Sequence, residues 1–230
     1  MRKTAAMPAH RFELFAFWRT SATYRVRVAL NLKGLAADER QINLDAGEQR
    51  SAAFLKINPL GAIPALIDHG PGQPSEPITQ SQAILEYLED VQAQPALLPA
   101  DAHGRARVRS LVAMLAADTH PLITGRIKKY LVANANFDDA AFRAWQIHWI
   151  TTGLQAVEQR LASETATGAY CHGNAISMAD VVLASIVVVV RAFKIVVSDV
   201  PTIDRIVALC ELHEAFAKAA PGLQEGAPKA

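Results

Sequence analysis

With 230 residues, 51% of them apolar, the chain is long enough for one large domain or two modest ones and can bury a core, which excludes a largely disordered protein. Its 23 Lys and Arg stand against 22 Asp and Glu, which excludes a general nucleic-acid binder working through bulk charge. The two cysteines, Cys171 and Cys210, form no CxxC pair and no metal-ligand spacing, so they read as small core residues in a reducing compartment, with no metal site.

Residues 1–10 carry Arg2 and Lys3 with no apolar run behind them, so they read as a poorly ordered tail and not as a secretory signal; Met7 offers a second start. Phe12-Glu13-Leu14-Phe15-Ala16-Phe17 alternates as a strand does, and Val26, Ala29 and Leu30 then fall at i, i+3 and i+4 on one helical face. Between strand and helix lie the hydroxyls of Thr20, Ser21 and Thr23. A helix N-terminus presents free N–H groups and about half a positive charge, which suits a phosphate or a thiolate. The same residues also read as a plain Ser/Thr cap with no ligand. Lys33-Gly34 ends the helix, with Gly34 as its left-handed cap.

Residues 39–44 place Ile42 and Leu44 on one face and read as a second strand, parallel to the first as a strand-helix-strand connection favours. Residues 48–56 read as a short helix ended by Asn58-Pro59. Pro64 precedes a short apolar strand, Ala65-Leu66-Ile67-Asp68, where its missing N–H demands an edge or a special turn. The turn-rich residues 69–75 lead to a hairpin-like return at Pro77-Ile78, and residues 81–90 form an amphipathic helix through Ile84, Leu85 and Leu88.

Residues 91–103, with Pro95 and Pro99 around Ala96-Leu97-Leu98, read as a linker, and the chain beyond is helical. Leu111, Met114, Leu115 and Asp118 share a face, and Pro121 predicts a kink or break near His120. Residues 142–161 form a long helix opened by Asp138 or Asp139. Ser177-Met178-Ala179-Asp180 is a capping box leading into an apolar run. Val187 to Val190 favours a strand by propensity but reads as a buried helix in this context. Residues 202–216 read as a further helix before a loose tail. The most apolar run, 181–190, falls far short of the roughly 20 residues a membrane span needs, so a soluble protein is expected.

An α/β domain with a proline before its third strand, followed by an all-helical domain, is the plan of the cytosolic glutathione S-transferases. Arg19-Thr20-Ser21-Ala22-Thr23-Tyr24-Arg25-Val26-Arg27-Val28-Ala29-Leu30 resembles the Arg-Ser-Ser-Cys-Ser-x-Arg-Val-Arg-Ile-Ala-Leu stretch of that family's zeta class. Asn58-Pro59 with Ile63-Pro64-Ala65-Leu66, and Gln80-Ser81-Gln82-Ala83-Ile84 with Glu86-Tyr87-Leu88, are similar to its next two motifs. Leu97-Leu98-Pro99, Asp118-x-His120-Pro121 and Met178-Ala179-Asp180 carry the likeness on, so that it spans about residues 12–217.

The resemblance implies an N-terminal thioredoxin-like α/β domain over 11–90, a linker over 91–103, a C-terminal all-α domain over 104–218 and a tail over 219–230. It implies glutathione as cofactor, a cytoplasmic homodimer, and a small electrophile or cis-dicarboxylate as substrate, with neither nucleic acid nor membrane as partner. The class includes maleylacetoacetate and maleylpyruvate isomerases, which act by thiolate addition, rotation and elimination. The alternatives are conjugation or dehalogenation of small haloacids, and glutathione binding without turnover in a stress-related protein.

By position in the motif, Thr20 and Ser21 take the hydroxyl places beside the glutathione sulfur, and Ala22 stands where the motif has cysteine. A cis Pro64 leaves Ile63 to pair with the cysteinyl backbone of glutathione; Gln80 and Ser81 take its γ-glutamyl end and Gln49 its glycyl end. Arg19 is the leading cation for the substrate, with His120, Arg126 and Arg191 as further contacts. Ala192-Phe193 replaces the family's Arg-Phe pair next to Arg191. For each residue a plainer reading stays open: an N-cap for Ser81, a core histidine for His120, solvated side chains for Gln49 and the arginines. Arg25 and Arg27 read as structural, one of them reaching a second subunit, and Arg105, Arg107 and Arg109 as a solvated or interface helix face.

Overall fold

Apolar alternation builds the first strand, β1 (Phe12–Ala16), with Phe12, Leu14 and Ala16 buried. In the computed structural model, which describes residues 9–74 and 76–228, it is followed by α1 (Ser21–Leu32) and β2 (Ala37–Gln41). Residues 1–8 of the predicted tail lie outside the described residues; His10, at its end, donates its backbone N–H to Asp38 at 2.9 Å. β1 pairs in parallel with β2 and antiparallel with β3 (Ala65–Asp68), which pairs antiparallel with β4 (Ile78–Thr79), giving the order β2-β1-β3-β4. α2 (Ala52–Ile57) and α3 (Ser81–Val91) complete this α/β layer.

Two strand and helix bounds move. β2 starts and ends earlier than the predicted 39–44, because it is an edge strand with no residue fully buried, so its apolar pattern does not mark it. Ile42 follows the strand and donates its N–H to Ala16 O at 2.8 Å. The predicted helix 48–56 divides into a 3-10 turn, Glu48–Arg50, and α2, because Ser51 takes extended backbone angles and caps α2 by accepting from Phe54 N at 3.2 Å. Gly34 has φ +66°, as the left-handed cap of α1 requires.

The chain divides into two units, Met1–Pro95 together with Glu214–Ala230, and Ala96–His213. The helical domain predicted to run to 218 therefore gives up its last residues. α9 (Glu214–Lys218) buries Ala215 and Phe216, and Asn31 of α1 donates to Ala215 O at 3.0 Å. The predicted tail also begins with buried Ala219 and a short 3-10 turn, Pro221–Leu223. These contacts join residues nearly 200 positions apart, as the Asn31–Ala215 bond does, and no local pattern announces them.

In the first unit the buried Asp68 ends β3. Burial pushes its carboxyl up, but the Arg11 guanidinium, the Tyr87 hydroxyl at 2.6 Å and the Gly70 N–H at 2.7 Å together outweigh that and hold it at about 2. A folded value below the unfolded one contributes stability above the unfolded pKa of about 4 and loses it as pH falls towards 2. Replacing Asp68 with Asn should therefore flatten acid denaturation between about pH 4 and 2, removing on the order of 2 kcal/mol of pH dependence from the unfolding free energy measured in urea. A variant with the wild-type acid limb would show that other carboxylates set it.

The second unit comprises α4 (Ala102–Ala113), α5 (Gly125–Ala135), α6 (Asp139–Ser163), α7 (Met178–Ala192) and α8 (Pro201–Glu211). The break expected near His120 is a π-helical turn, Met114–Thr119, followed by a 3-10 turn, His120–Ile123. Pro121 has no N–H to continue the α-helical ladder, and the wider turn lets the Thr119 hydroxyl donate to Met114 O at 2.7 Å. It also swings Asp118 out to solvent, off the apolar face where it was expected. Gly153 of α6 lies against this turn, where a Cβ would come within 2.2 Å of Thr119 Oγ1. α5 falls within the stretch expected to be helical, where no separate helix was bounded.

The capping box forms as expected: Asp180 accepts from Ser177 N at 2.8 Å and from Ser177 Oγ at 2.7 Å. Val187 to Val190 is helical, half-buried at its first three residues. Arg107 corrects the reading of 105, 107 and 109 as one solvated face: it is buried and donates to Glu164, Cys171 O and Thr167 Oγ1 at 2.5, 2.6 and 2.8 Å, tying a long loop to α4. Cys171 and Cys210 are buried free thiols whose pKa values burial raises, so neither is a nucleophile at neutral pH.

Candidate active site

The sheet register brings three segments to one end. Phe15, next to the last residue of β1, pairs with Ala65, the first of β3, and Ala65 pairs with Thr79, the last of β4. The turn after β1, the Ile63–Pro64 peptide before β3 and the Gln80–Ser81 step after β4 therefore share that end of the sheet. The Ile63–Pro64 peptide is cis, as expected from the resemblance. Asn58 folds the loop that presents it, donating to Ala62 O at 2.6 Å and accepting from Leu60 N at 3.1 Å. Gln49 lies close by, with its carbonyl against Gly61, where a Cβ would sit 2.9 Å away.

Thr20 is the N-cap of α1 by backbone angle, φ −80° and ψ 130°, yet its side chain makes no capping bond. Its hydroxyl lies 2.6 Å from Thr23 Oγ1 and 3.3 Å from Phe17 O, and the residue is half-buried. Ser21, the first helical residue, is buried. Thr20 is thus the hydroxyl of the pair with access to a ligand at the helix N-terminus.

Gln80 holds φ +71° and ψ 118°, a conformation an L residue adopts at a cost of about 1–3 kcal/mol and one that clusters at binding sites. It precedes α3, whose first residue, Ser81, is buried and accepts from Arg25 Nη1 at 3.1 Å. Arg25 is fully buried, and desolvation pulls its pKa down to about 9. The side-chain Oε1 of Gln49 is buried with no hydrogen-bond partner among the described residues. A polar ligand group would satisfy it. The sheet end thus offers an accessible hydroxyl, a helix N-terminus and an orphaned amide oxygen, which fit the polar groups of glutathione.

Arg19 pairs with Asp45 and stacks over Phe17 and Trp18, with its guanidinium carbon 5.4 and 5.8 Å from their ring centroids. Both partners of the ion pair are at least half exposed, and such pairs are worth about 0–1 kcal/mol, so the pair holds Arg19 only weakly. Asp45 escaped the sequence reading. Its turn was visible in Asn43 and Gly47: Asn43 Oδ1 accepts from Asp45 N and Ala46 N at 3.0 and 3.1 Å, and Gly47 has φ +78°. The Arg25–Ser81 bond was also missed, since it spans 56 positions. Arg27, read as a candidate for a second subunit, is bound within its own chain to Glu39 at 2.7 and 2.8 Å and to Trp18 O at 3.2 Å.

The other three candidates stand on separate elements of the second unit. His120 opens the 3-10 turn, Arg126 is exposed in the first turn of α5, and Arg191, in the last turn of α7, pairs with Glu211 of α8. Among the described residues no group of three His, Cys, Asp or Glu is placed to hold a metal ion, and no helix is long and apolar enough to cross a membrane.

Residues 10–90 match the glutathione S-transferase N-terminal domain family. A maleylpyruvate isomerase from a Ralstonia species is 39% identical over 212 residues, 92% of this chain and 98% of its own. The solved holo structure of a maleylpyruvate isomerase, a bacterial glutathione S-transferase of the zeta class, aligns with a TM-score of 0.88 at 38% identity, over 94% of this chain and 100% of that one. A maleylacetoacetate isomerase from Methylobacterium extorquens AM1, solved with malonate and glutathione bound, aligns with a TM-score of 0.90 at 42% identity over the same shares. Near-complete coverage at this identity, on a fold whose strand end carries the cis proline and the hydroxyl turn, shows that the chain belongs to the zeta class of the glutathione S-transferase family.

Proposed function

We propose that the protein is a glutathione-dependent cis–trans isomerase of the maleylacetoacetate or maleylpyruvate type. The observation that carries the thiolate chemistry is the Thr20 hydroxyl, which stands at the N-terminus of α1, accessible and not engaged in capping. Glutathione bound here supplies a nucleophilic thiolate that can add reversibly to a conjugated double bond. Thr20 is assigned to hold the sulfur, with Ser21 beside it, while the α1 dipole favours negative charge at that point. Ile63 and Pro64 are assigned to the cysteinyl backbone, Gln80 and Ser81 to the γ-glutamyl carboxylate, and Gln49 to the glycyl end. Arg19 would orient a substrate carboxylate after leaving Asp45, with His120, Arg126 and Arg191 as further substrate contacts. A first domain near 11–90 followed by a helical domain from about 104, homodimeric assembly and a cytoplasmic location belong to the same proposal and rest on the family likeness.

Isomerisation of both compounds should be assayed with and without glutathione. A glutathione-dependent rate on at least one is expected, and none on either sinks the reading. One observation favours a second reaction, conjugation or dehalogenation of small haloacids. Arg19 and Arg191 both hold carboxylates of the protein itself, and Ala22 and Ala192 stand where the motif has cysteine and arginine. Turnover of dichloroacetate or chloropropionate exceeding isomerisation would select it.

A further inference from the structure

Three hydroxyls lie where the turn after β1 enters α1, and the chemistry above uses only two of them. The third, Thr23, has no exposed surface and sits in the first turn of α1. Its Oγ1 is 2.6 Å from Thr20 Oγ1, a short contact for two neutral hydroxyls. The alternative acceptor for Thr20, Phe17 O, is at 3.3 Å. A hydroxyl has one proton to give and two lone pairs to receive with. Once Thr20 turns its proton towards a bound sulfur, the 2.6 Å contact persists only if Thr23 is the donor. Burial keeps water from competing for that role, and the β-branch of Thr23 limits its χ1 within a helix.

We propose that Thr23 is a positioning residue, donating its proton to Thr20 Oγ1 and thereby aiming the Thr20 O–H at the glutathione sulfur. The inference rests on the glutathione-binding reading of this turn. A hydroxyl that accepts a hydrogen bond becomes a better donor, so the pair acts as a short chain in which each bond strengthens the next. No proton passes along it. The thiol proton leaves to solvent, Thr20 and Thr23 keep theirs, and the thiolate gains a stronger hydrogen bond. The chain therefore works on the ionisation of the sulfur and leaves the grip on the peptide of glutathione untouched.

The test is a pH titration of the ultraviolet thiolate band of glutathione bound to wild type, to Thr23→Val, which keeps the shape and loses the hydroxyl, and to Thr23→Ser, which restores the hydroxyl. Thr23→Val should raise the pKa of the bound thiol by about one unit, and Thr23→Ser should return it to the wild-type value. Affinity for S-methylglutathione, which has no ionisable thiol, should stay within twofold in both. An unmoved titration in Thr23→Val, or an equal loss of S-methylglutathione affinity, overturns the inference while leaving the glutathione reading intact. A wild type that binds no glutathione, or binds it with no thiolate band, overturns both. Should Thr23→Val not fold, Thr23→Ala is read in the same way.

Discussion

Thr20→Val should lower the isomerisation rate at pH 7 by about thirtyfold or more. The size follows from the thiol. Its free pKa of about 8.5 leaves only a few per cent as thiolate at neutral pH, so a site that fully ionises it gains roughly thirtyfold, and a site that has lost the means to do so gives that back. A single preorganised donor at a developing charge can be worth 10²–10³ in rate, so any loss beyond thirtyfold measures orientation as well as ionisation. The two shares separate with pH, because near pH 9.5 most of the thiol is ionised without help and only the orientation share persists. Thr20→Ser should keep most of the rate, since it keeps the hydroxyl and the backbone geometry of the cap. A Thr20→Val enzyme with wild-type rate at pH 7 would move the assignment to Ser21 or to the backbone N–H groups of the first turn. That outcome would sit poorly with the burial of Ser21 and the accessibility of Thr20.

Lys33→Met should destabilise the protein by about 3–5 kcal/mol. Lys33 caps the C-terminus of α1, and its ammonium has no exposed surface. It donates to Glu89 at 2.7 Å, to Gln92 O at 2.6 Å and to Pro95 O at 3.0 Å, which satisfies its three donors and pins the chain beyond α3 to the end of α1. Met has nearly the same length and no charge, so the loss reads the cost of leaving a buried carboxylate and two carbonyls without their ammonium. Urea unfolding checks it: the midpoint should fall with the slope unchanged. Glu89→Gln in the Lys33→Met background should recover part of the loss, because it removes the charge left behind. A midpoint shift equivalent to less than 1 kcal/mol would show that water or a neighbouring side chain replaces the ammonium.

These two residues mark the range of what could be read from the chain. The place of Thr20 at the start of α1 was legible because its type, its position between a strand and a helix, and its neighbours form a local pattern. Lys33 was read only as the residue before a stop glycine; its ion pair closes over 56 positions, and nothing near it in sequence marks Glu89 as its partner. Arg107 failed for the same reason. As one of three arginines at alternate positions on a helix it looked solvated, and its burial depends on a loop that ends more than 60 residues later. β2 was shifted because an edge strand has no fully buried residue from which an apolar pattern could arise.

The sequence by itself determined the two-part architecture, the helix stop at Gly34, the break at Pro121, the capping box at Ser177 and the family, because each rests on local backbone chemistry or on a motif of contiguous residues. Only the tertiary structure decided that the C-terminal residues from Glu214 return to the first unit, that Asp45 holds Arg19, that Arg25 reaches Ser81, and that Thr20 answers to Thr23 instead of capping its helix. All but the last join segments far apart in the chain. The last is a choice between two nearby partners for one hydroxyl, and it turns on side-chain geometry that residue types leave open.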